Sequence, residues 1–447
     1  MKSEKLMDYI GQIDDSMIAE ADASIVKAKP VIRPWIKWAS VAVAAAACLL
    51  IAVPFILDQK QPTDHTDHSG LPKLAVNNDL DGQASGFEGH LAFNIDELRD
   101  NNPWTENNNL TTLPVFNNPM KYDIAGMPIN GLSTDEMLAK AEEIVNIFGL
   151  EITSLYTTPS QDQIEQIMQK LQGEDEETIR MNTAVYRATA ECKGANIDVE
   201  KNGSLMLTLT AESADLVNDI DKLNVYDNFT ISFDYGYELI DDTQYYVGLP
   251  LSDGYSFTYD NTSYEQAMEI TKYLFSKYGA FTGIKEPGYN LFAEYTYNGN
   301  LTRLHTAVFE NAGSLTDRIL SFNFNNLYFN ASDMGGLGGI RYVKTDLSQI
   351  IGDYPIITAE EARTLLLEKH YITTVPEELP DEEYIANVEL IYRTSNRDTV
   401  FMPYYKFFVE MPTMQRENGL KTYGVFYVPA VKGEFLENIP LWDGSFN

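Results

Sequence analysis

Residues 38–57, WASVAVAAAACLLIAVPFIL, run for twenty positions without a charged side chain. A helix rises about 1.5 Å per residue, so this stretch matches a hydrocarbon core about 30 Å thick. Trp35 and Trp38 stand at its leading edge, where indoles favour the interface. Lys27, Lys29, Arg33 and Lys37 precede it, whereas only Lys60 and Lys73 follow closely. The positive-inside rule then places the N-terminus in the cytoplasm and the bulk of the chain outside the cell membrane. A cleaved signal peptide needs a shorter n-region and a small-x-small cleavage site, and here the span ends Phe55-Ile56-Leu57-Asp58. Cys48 lies mid-span with apolar residues after it, which disfavours lipidation. The expectation is an uncleaved single-pass transmembrane helix.

The span also divides the charge. Residues 1–37 carry six acids and six bases, while the residues after it hold 60 acids against 26 bases and thus the entire net charge of −34. Such a surface repels phosphate backbones, so no nucleic acid is expected as partner. It suits solubility, cations or basic partners. Cys192 stands alone outside the span, which excludes a disulfide framework and Cys-based zinc sites.

Leu6, Ile10, Ile13, Met17, Ala21 and Ile25 recur every three or four residues, predicting an amphipathic helix in the cytoplasmic tail 1–37. That helix either docks a cytoplasmic protein or is simply solvated. Residues 58–105 read as a linker, rich in Pro, Gly, Asp and Asn over 58–90. Ser/Thr-x-x-Glu/Gln capping boxes then open four helices at Ser133–Glu136, Ser160–Gln163, Thr262–Glu265 and Thr358–Glu361. The helices should cover 134–148, 161–172, 263–278 and 359–369. Strand-like runs flank Asn202-Gly203, Asn298-Gly299 and Asn418-Gly419, the signature of type I′ hairpins. The fold class expected is α+β, with about three helix-plus-antiparallel-meander units near 106–225, 226–346 and 347–447.

Asn77-x-Asp79-x-Asp81-Gly82-x5-Glu88 approaches a calcium-loop pattern, although Asn replaces the first Asp and Ala84 the usual apolar anchor. Asp64, His65, Asp67 and His68 offer imidazoles and carboxylates for zinc or copper, with a solvated linker as the plainer reading. Gly335-Gly336-Leu337-Gly338-Gly339 lacks the Lys-Ser/Thr of a phosphate loop and reads as a loop. Tyr404, Tyr405, Phe407 and Phe408 either stack on a sugar or pack a sheet, and their strand context favours packing. His90, His305 and His370 are isolated in sequence, and Asp241-Asp242 is an acidic pair with no evident carboxylate partner for glycoside chemistry. Gly-x-Ser-x-Gly and His-Glu-x-x-His are absent, so no catalytic, cofactor-binding or metal residue is assigned.

The opening MKSEKLMDYIGQIDDSMIAEAD, the basic collar with paired tryptophans and the alanine-rich span together resemble a class of single-pass membrane proteins of Clostridia-type Firmicutes, some of them anti-sigma-factor-like. The resemblance implies a tail that holds a sigma factor and an outer domain that senses. The tail has no His and no Cys-x-x-Cys, unlike zinc-dependent anti-sigma proteins. The stretch ITAEEARTLLLEKHYITTVP, with VELIYRTS, VFMPYYKFFVE and YGVFYVPAV after it, is similar to extracytoplasmic PepSY-type modules. These features favour a membrane-anchored, non-enzymatic binding or sensing protein of the cell envelope. A cell-wall enzyme or an envelope scaffold are the alternatives.

Overall fold

The computed structural model describes residues 70–77, 91–92, 101–123, 126–252, 254–258, 263–295, 301–373, 375, 377–394, 398–414 and 421–444. All lie in the compact unit Asp67–Asn447. The expected tail helix, the span at 38–57, the His65/His68 cluster, most of the calcium-like loop, His90 and the Asn298-Gly299 and Asn418-Gly419 turns lie outside them. Among the described residues no helix is long and apolar enough to cross a membrane.

The fold is α+β. Along the chain come β1 (Leu91–Ala92) and β2 (Thr112–Asn117), then β3 (Ile152–Thr158), β4 (Arg187–Cys192), β5 (Ala195–Glu200), β6 (Leu205–Leu209) and β7 (Asn228–Phe233). Next are β8 (Tyr237–Ile240) and β9 (Thr243–Tyr246), followed by β10 (Pro287–Tyr295), β11 (Leu301–Glu310), β12 (Asn325–Ala331) and β13 (Leu337–Lys344). The last are β14 (Ile350–Pro355), β15 (Ile372–Thr373), β16 (Ile385–Tyr392), β17 (Val400–Phe401), β18 (Pro403–Glu410) and β19 (Thr422–Pro429). Six α-helices are described: α1 (Thr134–Phe148), α2 (Gln161–Lys170), α3 (Glu176–Thr183), α4 (Tyr264–Tyr278), α5 (Leu315–Phe324) and α6 (Ala359–Leu367).

Local signals set the helix starts. Ser133, Ser160 and Thr358 close the expected capping boxes on Glu136, Gln163 and Glu361. The third box shifts by one residue, because Ser263 with Gln266 caps α4 in place of Thr262 with Glu265. Ser314 and Asp317 make a further box at α5. The Asn202-Gly203 hairpin between β5 and β6 exists, but only Gly203 has a positive φ (90°). The expected type I′ turn is therefore corrected: Gly203 N–H donates to the Glu200 carbonyl, and the Asn202 side chain accepts from Ser204 N–H.

Nine strands form one sheet, in the order β10-β11-β12-β13-β7-β6-β5-β4-β3. All its pairings are antiparallel except β6–β7, whose parallel register requires a crossover, here the 3-10 segment Ala211–Leu223. Inward positions of β5, β6 and β7 alternate strictly: Ile197, Val199, Leu205, Leu207, Phe229 and Ile231 are buried. They pack against Met137, Ala141 and Ile144 of α1 and Ile270 and Leu274 of α4. One face is covered, and period-two burial follows.

The second sheet is built differently. β1, β19, β18 and β16 pair in that order, and β15 adds to β19. Every residue of β19 is buried, and β18 nearly so. Tyr405, Phe407, Phe426 and Val428 face one cluster with Ala362 and Leu366 of α6. Tyr404, Phe408, Tyr423 and Val425 face the other, with Val115 of β2 and Tyr354 of β14. β2 reaches that layer by pairing with β14 and β17.

Residues 71–77, within the expected linker, pack into this layer. Leu74 and Val76 are buried. Leu74 N–H donates to the Phe435 carbonyl (2.8 Å) and its carbonyl accepts from Glu437 N–H (2.8 Å). Asn438 brackets Val76 by giving and accepting one bond each, both 2.9 Å. Two apolar side chains and a run of paired amides hold what Pro and Gly content alone suggested was free chain.

Candidate functional site

A cleft of about 590 Å³ opens where the end of β2 meets the turns before β14 and β17. Asn117, Asn118, Lys121, Asp123, Ile129, Gln349, Asp398 and Thr399 contribute to its walls. The wall is locked by the backbone: Asn117 N–H donates to the Gln349 carbonyl and Asn118 N–H to the Thr399 carbonyl, each at 2.9 Å. The Asn118 amide donates to the Asp398 carbonyl (2.8 Å), and its oxygen accepts from Met120 N–H (2.9 Å). On the far rim, Lys121 N–H donates to the Asn130 side chain and Ile129 N–H to the Lys121 carbonyl. Lys121 is thereby held against Ile129 and Asn130.

Both cleft carboxylates have cationic partners. Asp123 is buried and lies 3.5 Å from Arg180 of α3, and its other oxygen accepts from Met127 N–H (3.0 Å). Asp398 forms a two-pronged pair with Arg393, both side chains buried. Arg393 also donates to the Asn77 carbonyl and lies over the Tyr404 ring at 5.1 Å. Burial pulls the Arg393 pKa down, but Tyr404 and Asp398 more than offset this and keep it above its ordinary value. Burial, and secondarily Glu200, raises the Tyr122 phenol above its ordinary value. The cleft thus holds fixed dipoles and paired charges, and its lining adds Gln349, Thr399, Tyr122, Lys121 and exposed Ile129. The lining therefore combines apolar surface with a few fixed hydrogen-bonding groups.

The sequence-derived candidates fall elsewhere. Tyr404, Tyr405, Phe407 and Phe408 are all buried in β18, so they pack the sheet. The glycine cluster is part turn and part strand: Gly335 has φ +82°, whereas Leu337 to Gly339 open β13. A Cβ at Gly336 would meet the Leu249 carbonyl oxygen at 2.6 Å, so close backbone approach explains that glycine. His370 Nδ1 bonds the Pro440 carbonyl (2.8 Å), a structural contact, and His305 sits on β11. Cys192 is free and buried, and burial raises its thiol pKa. Among the described residues no three His, Cys, Asp or Glu side chains cluster as a metal site requires. Asp241 and Asp242 have φ 49° and 63° and form the turn of the β8–β9 hairpin. Their backbone role was unexpected.

The cleft residues carried no motif. Arg393 and Asp398 stand five apart in a loop-like stretch, and Asp123 meets Arg180 from another element; only the fold joins them. No family model, no curated protein and no solved structure matches this chain.

Proposed function

We propose that this chain is a membrane-anchored extracytoplasmic binding or sensing protein of the bacterial cell envelope, with its N-terminal tail as the cytoplasmic output. The cleft carries the binding part of this reading. Its polar groups are held in place by the fold's own hydrogen bonds, so a ligand meets a preorganised surface and little ordering cost remains. Both of its carboxylates are engaged by arginines, an arrangement that fixes their geometry.

The anchoring part rests on the twenty uncharged residues at 38–57 and the basic collar before them. The balanced charge of residues 1–37, set against an exterior holding all of the −34, separates two environments. The resemblance of the opening to anti-sigma-factor-like membrane proteins supports a regulatory output through the tail, and that of the C-terminal stretch to PepSY-type modules supports an envelope role.

A two-hybrid screen of residues 1–37 against the sigma factors of the host tests this reading. Capture of one sigma factor, with altered transcription of its regulon on deletion of the protein, is the expected result. No partner and no transcriptional change would overturn the regulatory output.

A further inference from the structure

The β8–β9 hairpin is the least explained element of the fold. Its strands are four residues each, and it pairs with no other strand among the described residues. Tyr237 is 65% exposed, Leu239 68% and Ile240 43%. An isolated two-stranded hairpin is marginal in water, and exposed large apolar groups gain nothing from it. The element is nonetheless well specified. Asp241 and Asp242 supply the two positive φ angles of a type I′ turn, Tyr246 OH donates to the Phe233 carbonyl at its base, and Asp333 accepts from Tyr246 N–H (2.8 Å).

Its register exposes one edge. The two-residue Asp241-Asp242 turn makes Ile240–Thr243, the pair that flanks it, a hydrogen-bonded pair, and such pairs alternate along an antiparallel ladder. Glu238–Tyr245 and Ile240–Thr243 therefore bond inward, whereas Tyr237 and Leu239 point their N–H and C=O groups outward. On the β9 side the equivalent Tyr246 N–H is occupied by Asp333. Among the described residues no strand pairs with the β8 edge, and Tyr246 N–H on the β9 side is already occupied, so β8 is the freer edge for a further strand.

The two faces beside that edge differ in chemistry. Tyr237 and Leu239 lie on one face, with the Tyr246 ring 5.9 Å from that of Tyr237. Glu238 projects to the other with Ile240 and Tyr245, and Asp241 and Asp242 sit at the tip. Residues 234–246 hold four acids and no base. A strand added to β8 would place alternate side chains over the apolar pair and beside Glu238.

We infer that the β8 edge is a docking site for an extended segment of a partner protein in which apolar residues alternate with Lys or Arg. Main-chain bonds to Tyr237 and Leu239 supply affinity, and the alternation supplies specificity. A second copy brings the same acidic hairpin to the edge, and an anionic lipid surface repels it; charge complementarity selects a basic partner.

The full-length protein in detergent, titrated with a short fluorescent peptide of alternating Lys and Val, tests this. A block isomer of the same composition controls for general attraction to an acidic protein. The alternating peptide should bind at least about tenfold more tightly than the block isomer. Leu239→Pro removes an outward N–H while sparing the hairpin's own bonds, and should weaken binding about tenfold, the scale of one hydrogen bond. Glu238→Lys should weaken it and flatten its salt dependence. Circular dichroism of both variants should match the parent. Equal binding of the two peptides, or binding that survives both substitutions, overturns the proposal. So does dimerisation of the parent that Leu239→Pro abolishes, or binding to anionic vesicles that requires Leu239. The outcome is independent of the tail, so it stands or falls apart from the sigma-factor screen.

Discussion

Two antiparallel strand pairs in this molecule could hardly be treated more differently. β18–β19 is buried on both faces, between α6 on one side and β2 with β14 on the other. β8–β9 is buried on neither. Between these extremes stand β5, β6 and β7 of the nine-stranded sheet, which alternate buried and less buried residues because one face is covered. Sequence composition follows the number of covered faces: PYYKFFVE and TYGVFYVP are almost continuously apolar, whereas ANIDVE alternates. YELI breaks the rule, since its apolar residues face solvent. An element that violates the pattern kept elsewhere is where function is sought.

That contrast can be broken by substitution, and the largest effect belongs to the doubly covered sheet. Phe426→Ala removes a fully buried ring that packs edge-on to Tyr371, and should cost about 3–5 kcal/mol in urea unfolding followed by fluorescence. Asp398→Ala leaves Arg393 charged and buried behind the cleft. A loss of similar size, about 3–5 kcal/mol, is expected, and Arg393→Met combined with Asp398→Leu should recover much of it. Ser133→Ala removes the cap of α1 and should cost about 1 kcal/mol. Leu239→Ser on the open hairpin should change stability by no more than about 0.5 kcal/mol.

A pH titration sharpens the picture for the nine-stranded sheet. Burial raises the Glu310 pKa, but backbone donors from Lys285, Glu286, Ala312 and Asn311 outweigh it and hold the carboxyl below its ordinary 4.5. A group whose folded pKa is depressed contributes stability above the unfolded value and loses it as pH falls through the folded one. Acid unfolding of the parent should therefore include a component below about pH 4.5 that Glu310→Gln removes.

Much of the fold was legible where the physics is local. Capping boxes at Ser133, Ser160 and Thr358 name their helices because both partners lie within four residues. Thr262-x-x-Glu265 and Ser263-x-x-Gln266 overlap, so sequence could not choose between them, and packing of Ala267, Ile270 and Leu274 selects the second. α5 escaped because its box closes on Asp317 rather than Glu or Gln. The parallel β6–β7 pair and the placement of β2 beside β14 are long-range pairings that no local pattern announces. The same holds for the cleft, whose charged groups meet only after folding. Tyr404 and Phe408 were ambiguous as aromatics, yet their strand context pointed to the core where they lie.

Amide hydrogen exchange on the full chain compares the two strand pairs most directly. Amides of β18 and β19 should exchange only through global unfolding, while the outward N–H groups of Tyr237 and Leu239 should exchange at nearly unprotected rates. Protection of Tyr237 and Leu239 as strong as that of β19, in the protein alone, would contradict an open edge and the account built on it.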